Sequence, residues 1–130
     1  LADLGTRYPE MNEKIQVNWD SLGEIQLPEF VLYTVLKNLL ENALLHAQAA
    51  HIWISMQSDG LVIEDDGQQL IAQDIQHLGQ RFWRKSAQQH GHGLGLALVK
   101  SLLGNYQYHL GFQQRQPVGL TIKIQQYIQN

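Results

Sequence analysis

The fold is decided by the stretch from Leu36 to Ala47, which reads LKNLLENALLHA. Side chains three and four positions apart share one face of a helix. An apolar stripe with this spacing is formed by Leu32, Val35, Leu36, Leu39 and Ala43. Because Lys37 and Glu41 fall on the opposite side, the stretch predicts an amphipathic helix that anchors a core.

Two asparagines, Asn38 and Asn42, lie one helical turn apart at the border of this apolar stripe. A polar side chain close to a core needs hydrogen-bond partners. An amide oxygen can coordinate a hard cation, and an amide nitrogen can donate to a phosphate. The pair therefore suggests a ligand site, but two asparagines that are solvated or bonded to their own helix explain the pattern when it is taken alone.

The chain has 130 residues, which is enough for one domain with a proper core. Its formal charge is −3 and its lysines and arginines form no long run, so nucleic acid is not an expected partner. No cysteine is present, which excludes disulfides and thiolate zinc sites. Because the chain starts at Leu1 without a methionine, we expect a piece of a longer protein, with residues 1–14 as an irregular lead-in.

Working outward from the long helix, the sequence pattern predicts strands at residues 15–19 (an edge strand), 51–56, 61–64, 106–112 and 118–124. Helices are predicted from Pro28 to about Ala47, weakly at 71–78, and at 93–103. The last helix is expected to turn Leu94, Ala97, Leu98 and Ser101 toward the core and to end at Gly104-Asn105. This order predicts a two-layer α/β sandwich, with about three helices on one face of a mixed, mostly antiparallel sheet.

A glycine-rich turn, GHGLGL at residues 91–96, opens the last predicted helix. Glycines let a backbone approach a ligand closely, and the free N–H groups at a helix start favour phosphate. The alternative is a tight loop that only allows close helix packing. The turn is not a Walker loop, since no Gly-Lys-Ser/Thr follows it, and no strand leads directly into it as a dinucleotide fingerprint requires.

The run Asp65-Asp66-Gly67 ends an apolar strand. A carboxylate at this position can accept a hydrogen bond from an exocyclic amine such as that of adenine, and a glycine leaves a flat floor for the base. The alternative is an ordinary turn, because aspartate and glycine are favoured in turns.

The run Arg81-Phe82-Trp83-Arg84-Lys85 places aromatic side chains among cations in a polar stretch. One interpretation is a lid that Phe82 and Trp83 pin to the body while Arg84 or Lys85 reaches phosphate. The other is a surface loop with a small apolar cluster of its own.

In this order along one chain, the segments resemble the ATP-binding catalytic domain of a bacterial sensor histidine kinase, in the GHKL ATPase superfamily. Residues 38–46 match the N box, 65–67 the first glycine box and 91–96 the second, while 81–84 resembles the F box. Gly119-Leu120-Thr121 resembles the last, weaker box. The resemblance is specific because these boxes follow the family's order with matching predicted elements.

The resemblance implies the Bergerat fold, an α/β sandwich that holds ATP between its helix layer and a long loop. It implies that Asn42 binds the Mg²⁺ on the phosphates and that Asn38 lies beside the transferred group. Asp65 would accept from the adenine amine, with Gly67 under the ring, and Arg84 would stabilise charge on the γ-phosphate. The other implied nucleotide-binding residues are His46, Phe82, Lys85, Gly91, Gly93, Leu94, Gly95, Leu96 and, through water, Thr121.

The chain also departs from the family's pattern. Gln69 stands where the first glycine box usually has a second glycine, and Leu45 stands where many members carry a lysine or arginine. The lid stretch from Arg84 to Gly91 is short. These departures leave open a degenerate module that holds a nucleotide or a protein partner without catalysis.

A third possibility is an ATPase of the same superfamily, which needs a carboxylate to activate water one turn before the magnesium-binding asparagine. Asn38 occupies that position, and an amide cannot act as the base. The favoured reaction therefore passes the γ-phosphoryl of ATP to a histidine on a dimerisation domain that would precede Leu1. The expected partners are that domain, a second protomer and a response regulator. The piece alone is expected to be a monomer, and its parent's cytoplasmic part to belong to an inner-membrane sensor.

Overall fold

A computed structural model of the protein describes residues 15–18, 25–46, 48–57, 60–67, 72–77 and 95–127. Its strands are β1 (Ile15–Asn18), β2 (Ile52–Gln57), β3 (Gly60–Asp65), β4 (Tyr108–Gln114) and β5 (Leu120–Gln126). Its helices are α1 (Glu29–Glu41), α2 (Ala72–His77) and α3 (Gly95–Asn105), and a π-helical turn (Asn42–His46) directly follows α1. The predictions for residues 1–14 and 78–94 lie outside the described residues.

The sheet has the strand order β1-β2-β3-β5-β4. β1 pairs in parallel with β2, and the other neighbouring strands pair antiparallel. The prediction of a mixed, mostly antiparallel sheet with β1 at an edge is therefore confirmed. β3 is the central strand, and its last residue, Asp65, lies opposite Ile52 on one side and Leu120 on the other. A carboxylate thus ends the central strand between two apolar neighbours.

Alternate residues of the central strands form the core together with α1 and α3. The strand residues in this core include Ile52, Ile54, Leu61, Ile63, Leu120, Ile122 and Ile124. Fully burying one such side chain contributes about 1.5–3 kcal/mol. Because side chains alternate along a strand, Trp53, Glu64 and Thr121 occupy the opposite face of the sheet. The two-layer arrangement predicted from the sequence is confirmed.

The apolar stripe of α1 supplies most of the helical side of the core. Its buried residues are Val31, Val35, Leu36, Leu39 and Leu40, whereas Leu32 is only partly buried. Pro28 is the N-cap rather than a first-turn residue, and its carbonyl accepts from the N–H groups of Val31 and Leu32 at 3.0 Å each. On the far side, Lys37 and Glu41 form the ion pair that their spacing permits, at 3.1 Å.

The predicted core face of α3 is wrong. Leu98 is 47% exposed and Ser101 is exposed, whereas Val99 and Leu103 are completely buried. This helix is apolar on two sides, and packing against α1 and β4 selects the Val99 side. Leu94, the fourth predicted core residue beside the partly buried Ala97, lies outside the described residues.

The predicted end of α3 is also shifted. Gly104 and Asn105 lie within its last turn, and the left-handed residue that ends the helix is Gln107, with φ of 64°. The Gln107 N–H donates to the Gly104 carbonyl at 3.2 Å, which satisfies one of the free carbonyls at the helix end.

None of the helices in the described residues is long and apolar enough to cross a membrane.

Candidate functional site

Asp65 is the one charged residue that is nearly fully buried in the described part of the chain, with 2% of its surface exposed. Its Oδ1 accepts from the Gly67 N–H at 2.9 Å, and its Oδ2 receives no hydrogen bond from the described residues. Burial raises the pKa of Asp65 to about 6, and the Asp66 charge adds to the rise, while the Gly67 N–H and Arg115 oppose it. A buried carboxylate with one unused acceptor is a candidate ligand-binding group.

The backbone just before β5 approaches Asp65 very closely. A Cβ on Gly119 would lie 1.8 Å from the Asp65 carbonyl oxygen, and Gly119 has φ of +109°, so only glycine fits. The next residue, Leu120, pairs with Asp65 in the sheet and is 3% exposed. Leu120 is therefore the β5 side chain beside the candidate carboxylate, a position that the sequence patterns did not identify. A signal existed in the spacing, because Leu120 follows the glycine of the weak C-terminal box.

The structure does not bring Thr121 to Asp65. Thr121 pairs with Glu64, and its hydroxyl donates to the Glu64 Oε2 at 3.4 Å on the opposite face of the sheet. A shift of one residue along a strand moves a side chain to the other face. The predicted water-mediated contact from Thr121 to a base held by Asp65 is therefore corrected, since the two side chains are separated by the sheet.

Asn38 is brought against the start of α3. Its side-chain nitrogen donates one N–H to the Thr34 carbonyl at 2.8 Å, and its other polar atom is Oδ1. A Cβ on Gly95 would lie 3.2 Å from that Oδ1, so the two helices meet closely where α3 begins. Leu96 is partly buried against the core, and its side chain is thus a packing group. The first N–H groups of α3 begin at this contact, and such groups suit an anion.

Asn42 occupies the junction between α1 and the π-helical turn. Its N–H is directed at the carbonyls of Asn38 and Leu39, and its side chain makes no hydrogen bond to the described residues. The sequence predicted a regular helix to about Ala47, but the chain from Asn42 to His46 is π-helical instead. π-helical turns occur frequently at functional sites. The Asn42 amide oxygen has the chemistry of a Mg²⁺ ligand.

A second acid beside Asp65 was noted in the sequence only as part of a turn. Asp66 accepts from the N–H groups of Ala50 and His51 at 2.9 and 2.7 Å through Oδ1, and Oδ2 lies 2.8 Å from His51 Nδ1. No local pattern indicates these contacts, because Asp66 and His51 are fifteen positions apart.

The remaining predicted site residues lie outside the described residues, except His46, of which only the backbone is described. Those outside the described residues are Phe82, Arg84, Lys85, Gly91, Gly93 and Leu94, together with Gln69. The backbone of His46 belongs to the π-helical turn.

Many solved structures share this fold, and two of them illustrate the match. A mycobacterial sensor histidine kinase, MprB, matches with a TM-score of 0.76 and 23% identity, covering 95% of this chain and 85% of that one. Full-length ShkA, solved in complex with AMPPNP, matches with a TM-score of 0.73 and 20% identity, covering 98% of this chain and 29% of that one. The fold is thus that of the ATP-binding domain of sensor histidine kinases.

Sequence comparison identifies the family. The model for histidine kinase-, DNA gyrase B- and HSP90-like ATPases matches residues 29–128, and the chain belongs to this family. The sensor protein QseC of Escherichia coli (strain K12) is 23% identical over 117 residues, which cover 88% of this chain and 26% of QseC. The chain therefore spans about a quarter of the length of that relative.

Proposed function

We propose that this chain is the ATP-binding catalytic domain of a two-component sensor histidine kinase. It would transfer the γ-phosphoryl group of ATP to a histidine on a separate dimerisation domain. The observation that carries the proposal is the buried Asp65 carboxylate at the end of the central strand, whose Oδ2 receives no hydrogen bond from the part of the chain that the structure describes. Membership of a family of histidine kinase-like ATPases supports ATP as the ligand.

At the adenine end, Asp65 Oδ2 would accept from the exocyclic amine of the base. The Gly67 N–H holds Asp65 Oδ1, so the carboxylate is oriented before a ligand arrives. Orientation of this kind lowers the free energy that binding must supply for ordering. Gly67 is itself buried and carries no side chain that would occupy the space under the ring.

At the phosphate end, the Asn42 amide oxygen would bind Mg²⁺, and Asn38 would lie beside the transferred group. The chemistry fits, because Asn42 keeps its side-chain acceptor unused within the described residues and an amide oxygen is a hard ligand. When bound, Mg²⁺ neutralises negative charge on the phosphate oxygens. The N–H groups that start α3 at Gly95 and Leu96 would hold the phosphates.

The stretch that contains residues 81–94 completes the proposal by resemblance to the family. Phe82 would pin the lid, and Arg84 and Lys85 would reach the phosphates. The backbone at Gly91, Gly93 and Leu94 would lead into α3 and cradle them. These assignments remain predictions.

Phosphoryl transfer, rather than hydrolysis, is favoured by the chemistry of Asn38. An amide cannot take a proton from an attacking water. The Asn38 side-chain nitrogen donates to the Thr34 carbonyl, which holds the amide against its own helix. The domain would then act by positioning and electrostatics on an acceptor histidine brought to it.

The partners proposed for the parent protein are its dimerisation domain, a second protomer and a response regulator. QseC is described as a sensor protein, and the chain covers about a quarter of it, which leaves room for such domains in a relative. Action at the cytoplasmic side of an inner-membrane sensor is part of the same proposal.

The proposed function is tested by calorimetric titration of the chain with a Mg²⁺-bound, non-hydrolysable ATP analogue. Asp65→Asn should abolish binding, because its Oδ1 must serve the Gly67 N–H and its NH₂ group then faces the donor amine of adenine. Glu64→Gln is the matched control, since this neighbouring acid lies on the other face of the sheet and should leave the affinity unchanged.

Transfer is tested by adding a purified dimerisation domain of the parent protein and radiolabelled ATP. Labelling of that domain, lost in Asp65→Asn and kept in Glu64→Gln, is the expected result. Equal nucleotide affinity in the wild type and Asp65→Asn would contradict the adenine assignment.

A further inference from the structure

We infer that Asp66 is a positioning residue that fixes the adenine end of the site relative to its magnesium end. The inference rests on the proposed function, because it concerns how Asp65 and Asn42 are held for one nucleotide.

The Asp66 carboxylate contacts one short segment, residues 50–51, with both oxygens: Oδ1 contacts its backbone and Oδ2 contacts the His51 side chain. Oδ1 accepts from the Ala50 N–H at 2.9 Å and from the His51 N–H at 2.7 Å. Oδ2 lies 2.8 Å from His51 Nδ1, and the Asp66 N–H donates to the His51 carbonyl at 3.2 Å. This side chain therefore joins the end of β3 to the residues that lead into β2.

The same segment is attached to the π-helical turn at its other end. The Ala49 N–H donates to the Ala43 carbonyl at 2.9 Å, and Ala49 is completely buried. Ala43 directly follows Asn42, and Asp66 directly follows Asp65. Residues 48–51 thus form a hydrogen-bonded bridge between the neighbours of the two residues proposed to hold opposite ends of the nucleotide.

The charge of Asp66 strengthens this bridge. Burial opposes ionisation of the group, but the hydrogen bonds from the His51 N–H, the His51 side chain and the Ala50 N–H outweigh it, so the pKa of Asp66 is lowered. The carboxylate is ionised at neutral pH, and hydrogen bonds to an ionised acceptor are shorter and stronger than neutral ones. Both Asp66 oxygens are engaged by Ala50 and His51, so its effect on binding would be exerted through Asp65 and Asn42.

A positioning role has a consequence that loss of stability does not share. A ligand that uses only the Asp65 end, such as adenosine, does not depend on the separation of the two ends. A Mg²⁺-bound nucleotide spans both ends and requires the correct separation. A smaller folded fraction would instead lower the apparent affinity for both ligands by the same factor.

The test compares adenosine and a Mg²⁺-bound, non-hydrolysable ATP analogue, titrated into the wild type and Asp66→Ala at a temperature where both are folded. We expect Asp66→Ala to weaken binding of the nucleotide by about tenfold to a hundredfold and binding of adenosine by less than about threefold. Asp66→Asn should restore most of the wild-type ratio of nucleotide affinity to adenosine affinity. Its oxygen still accepts from the two N–H groups and its NH₂ group can donate to His51 Nδ1, so that only the charge is lost. Glu64→Ala, which removes an acid on the opposite sheet face, is the control and should leave both affinities unchanged.

If Asp66→Ala changes the affinities for the two ligands by the same factor, or changes neither, the inference is overturned while the proposed function stands. Absence of nucleotide binding by the wild type would overturn the proposed function and the inference with it. If Asp66→Ala does not fold, Asp66→Ser, which keeps one short acceptor, should show a smaller selective loss in the same direction, and an unchanged ligand ratio in Asp66→Ser would overturn the inference.

Discussion

The Asp65 carboxyl group has a pKa of about 6 in the folded chain against an ordinary value of 3.8, chiefly because of burial. Between these two pH values the folded state binds more protons than the unfolded state, so the free energy of unfolding falls as the pH rises through this window. The stabilisation is fully present below the unfolded pKa and lost above the folded one. At neutral pH the ionised group lowers stability by about 3 kcal/mol relative to a neutral group of the same shape.

Asp65→Asn should therefore stabilise the ligand-free chain while it abolishes adenine recognition. The free energy of unfolding at neutral pH should rise by up to about 3 kcal/mol, and its fall between about pH 4 and pH 6 should flatten. Urea denaturation of both proteins across this pH range measures the effect. If the free energy of unfolding depends on pH in the same way in the wild type and the variant, Asp65 does not ionise in a buried site.

Gly119, directly before β5, is the residue at which the backbone approaches Asp65. Gly119→Ala should destabilise the chain by at least about 2 kcal/mol, because it combines a left-handed conformation with a contact to a backbone oxygen that cannot move aside. Gly104→Ala is the control, since a Cβ there meets nothing within 4 Å, and within a helix it should stabilise by about 0.5–1 kcal/mol. Thermal denaturation distinguishes the two variants. A similar melting temperature for both would contradict the close approach of Gly119 to the Asp65 carbonyl oxygen.

At the scale of the element, α3 shows how an apolar helix leaves its orientation undecided in the sequence. Leu98 and Leu103 have the same side chain, but Leu98 is 47% exposed and Leu103 is completely buried. Nothing local distinguishes them, because the side that faces the core is selected by contacts with α1 and β4, which are distant in the chain. The burial of Leu103 is thus a property of packing rather than of periodicity.

These two leucines provide a matched pair of substitutions. Leu103→Ala should lower the free energy of unfolding by about 2–5 kcal/mol, because it leaves a cavity in the core. Leu98→Ala should change it by less than about 1 kcal/mol. Chemical denaturation of both variants checks which face of α3 is buried. A larger loss of the free energy of unfolding in Leu98→Ala than in Leu103→Ala would contradict the observed orientation.

At the scale of the whole molecule, the helices, the strands and the mixed sheet could be predicted. Periodicity, turn residues and the order of the family's sequence boxes can all be read directly along the chain. The position of Asp65 at a strand end was predictable for the same reason. The pairing of β3 with β5 was not local, and it decided that Leu120 rather than Thr121 lies beside Asp65. The contacts of Asp66 with the segment before β2 were missed because they join residues far apart in the chain.

The magnesium and adenine ends of the proposed site lie on different elements, so each should contribute to nucleotide binding separately. Asn42→Ala should remove most of the Mg²⁺ dependence of nucleotide binding while leaving adenosine affinity unchanged, because only the cation loses a ligand. Gln113→Ala removes an exposed amide on β4 and is the control. Calorimetric titrations with and without Mg²⁺ measure this dependence. If Asn42→Ala keeps the Mg²⁺ dependence of nucleotide binding, other residues bind the cation.

The most direct test is a crystal structure of the chain with Mg²⁺ and a non-hydrolysable ATP analogue. We expect the Asn42 amide oxygen at ~2.1 Å from the Mg²⁺ and an Asp65 oxygen at ~2.7–3.2 Å from the adenine amine, on a single bound nucleotide. A nucleotide whose base is held elsewhere, or a cation that Asn42 does not touch, would contradict this expectation.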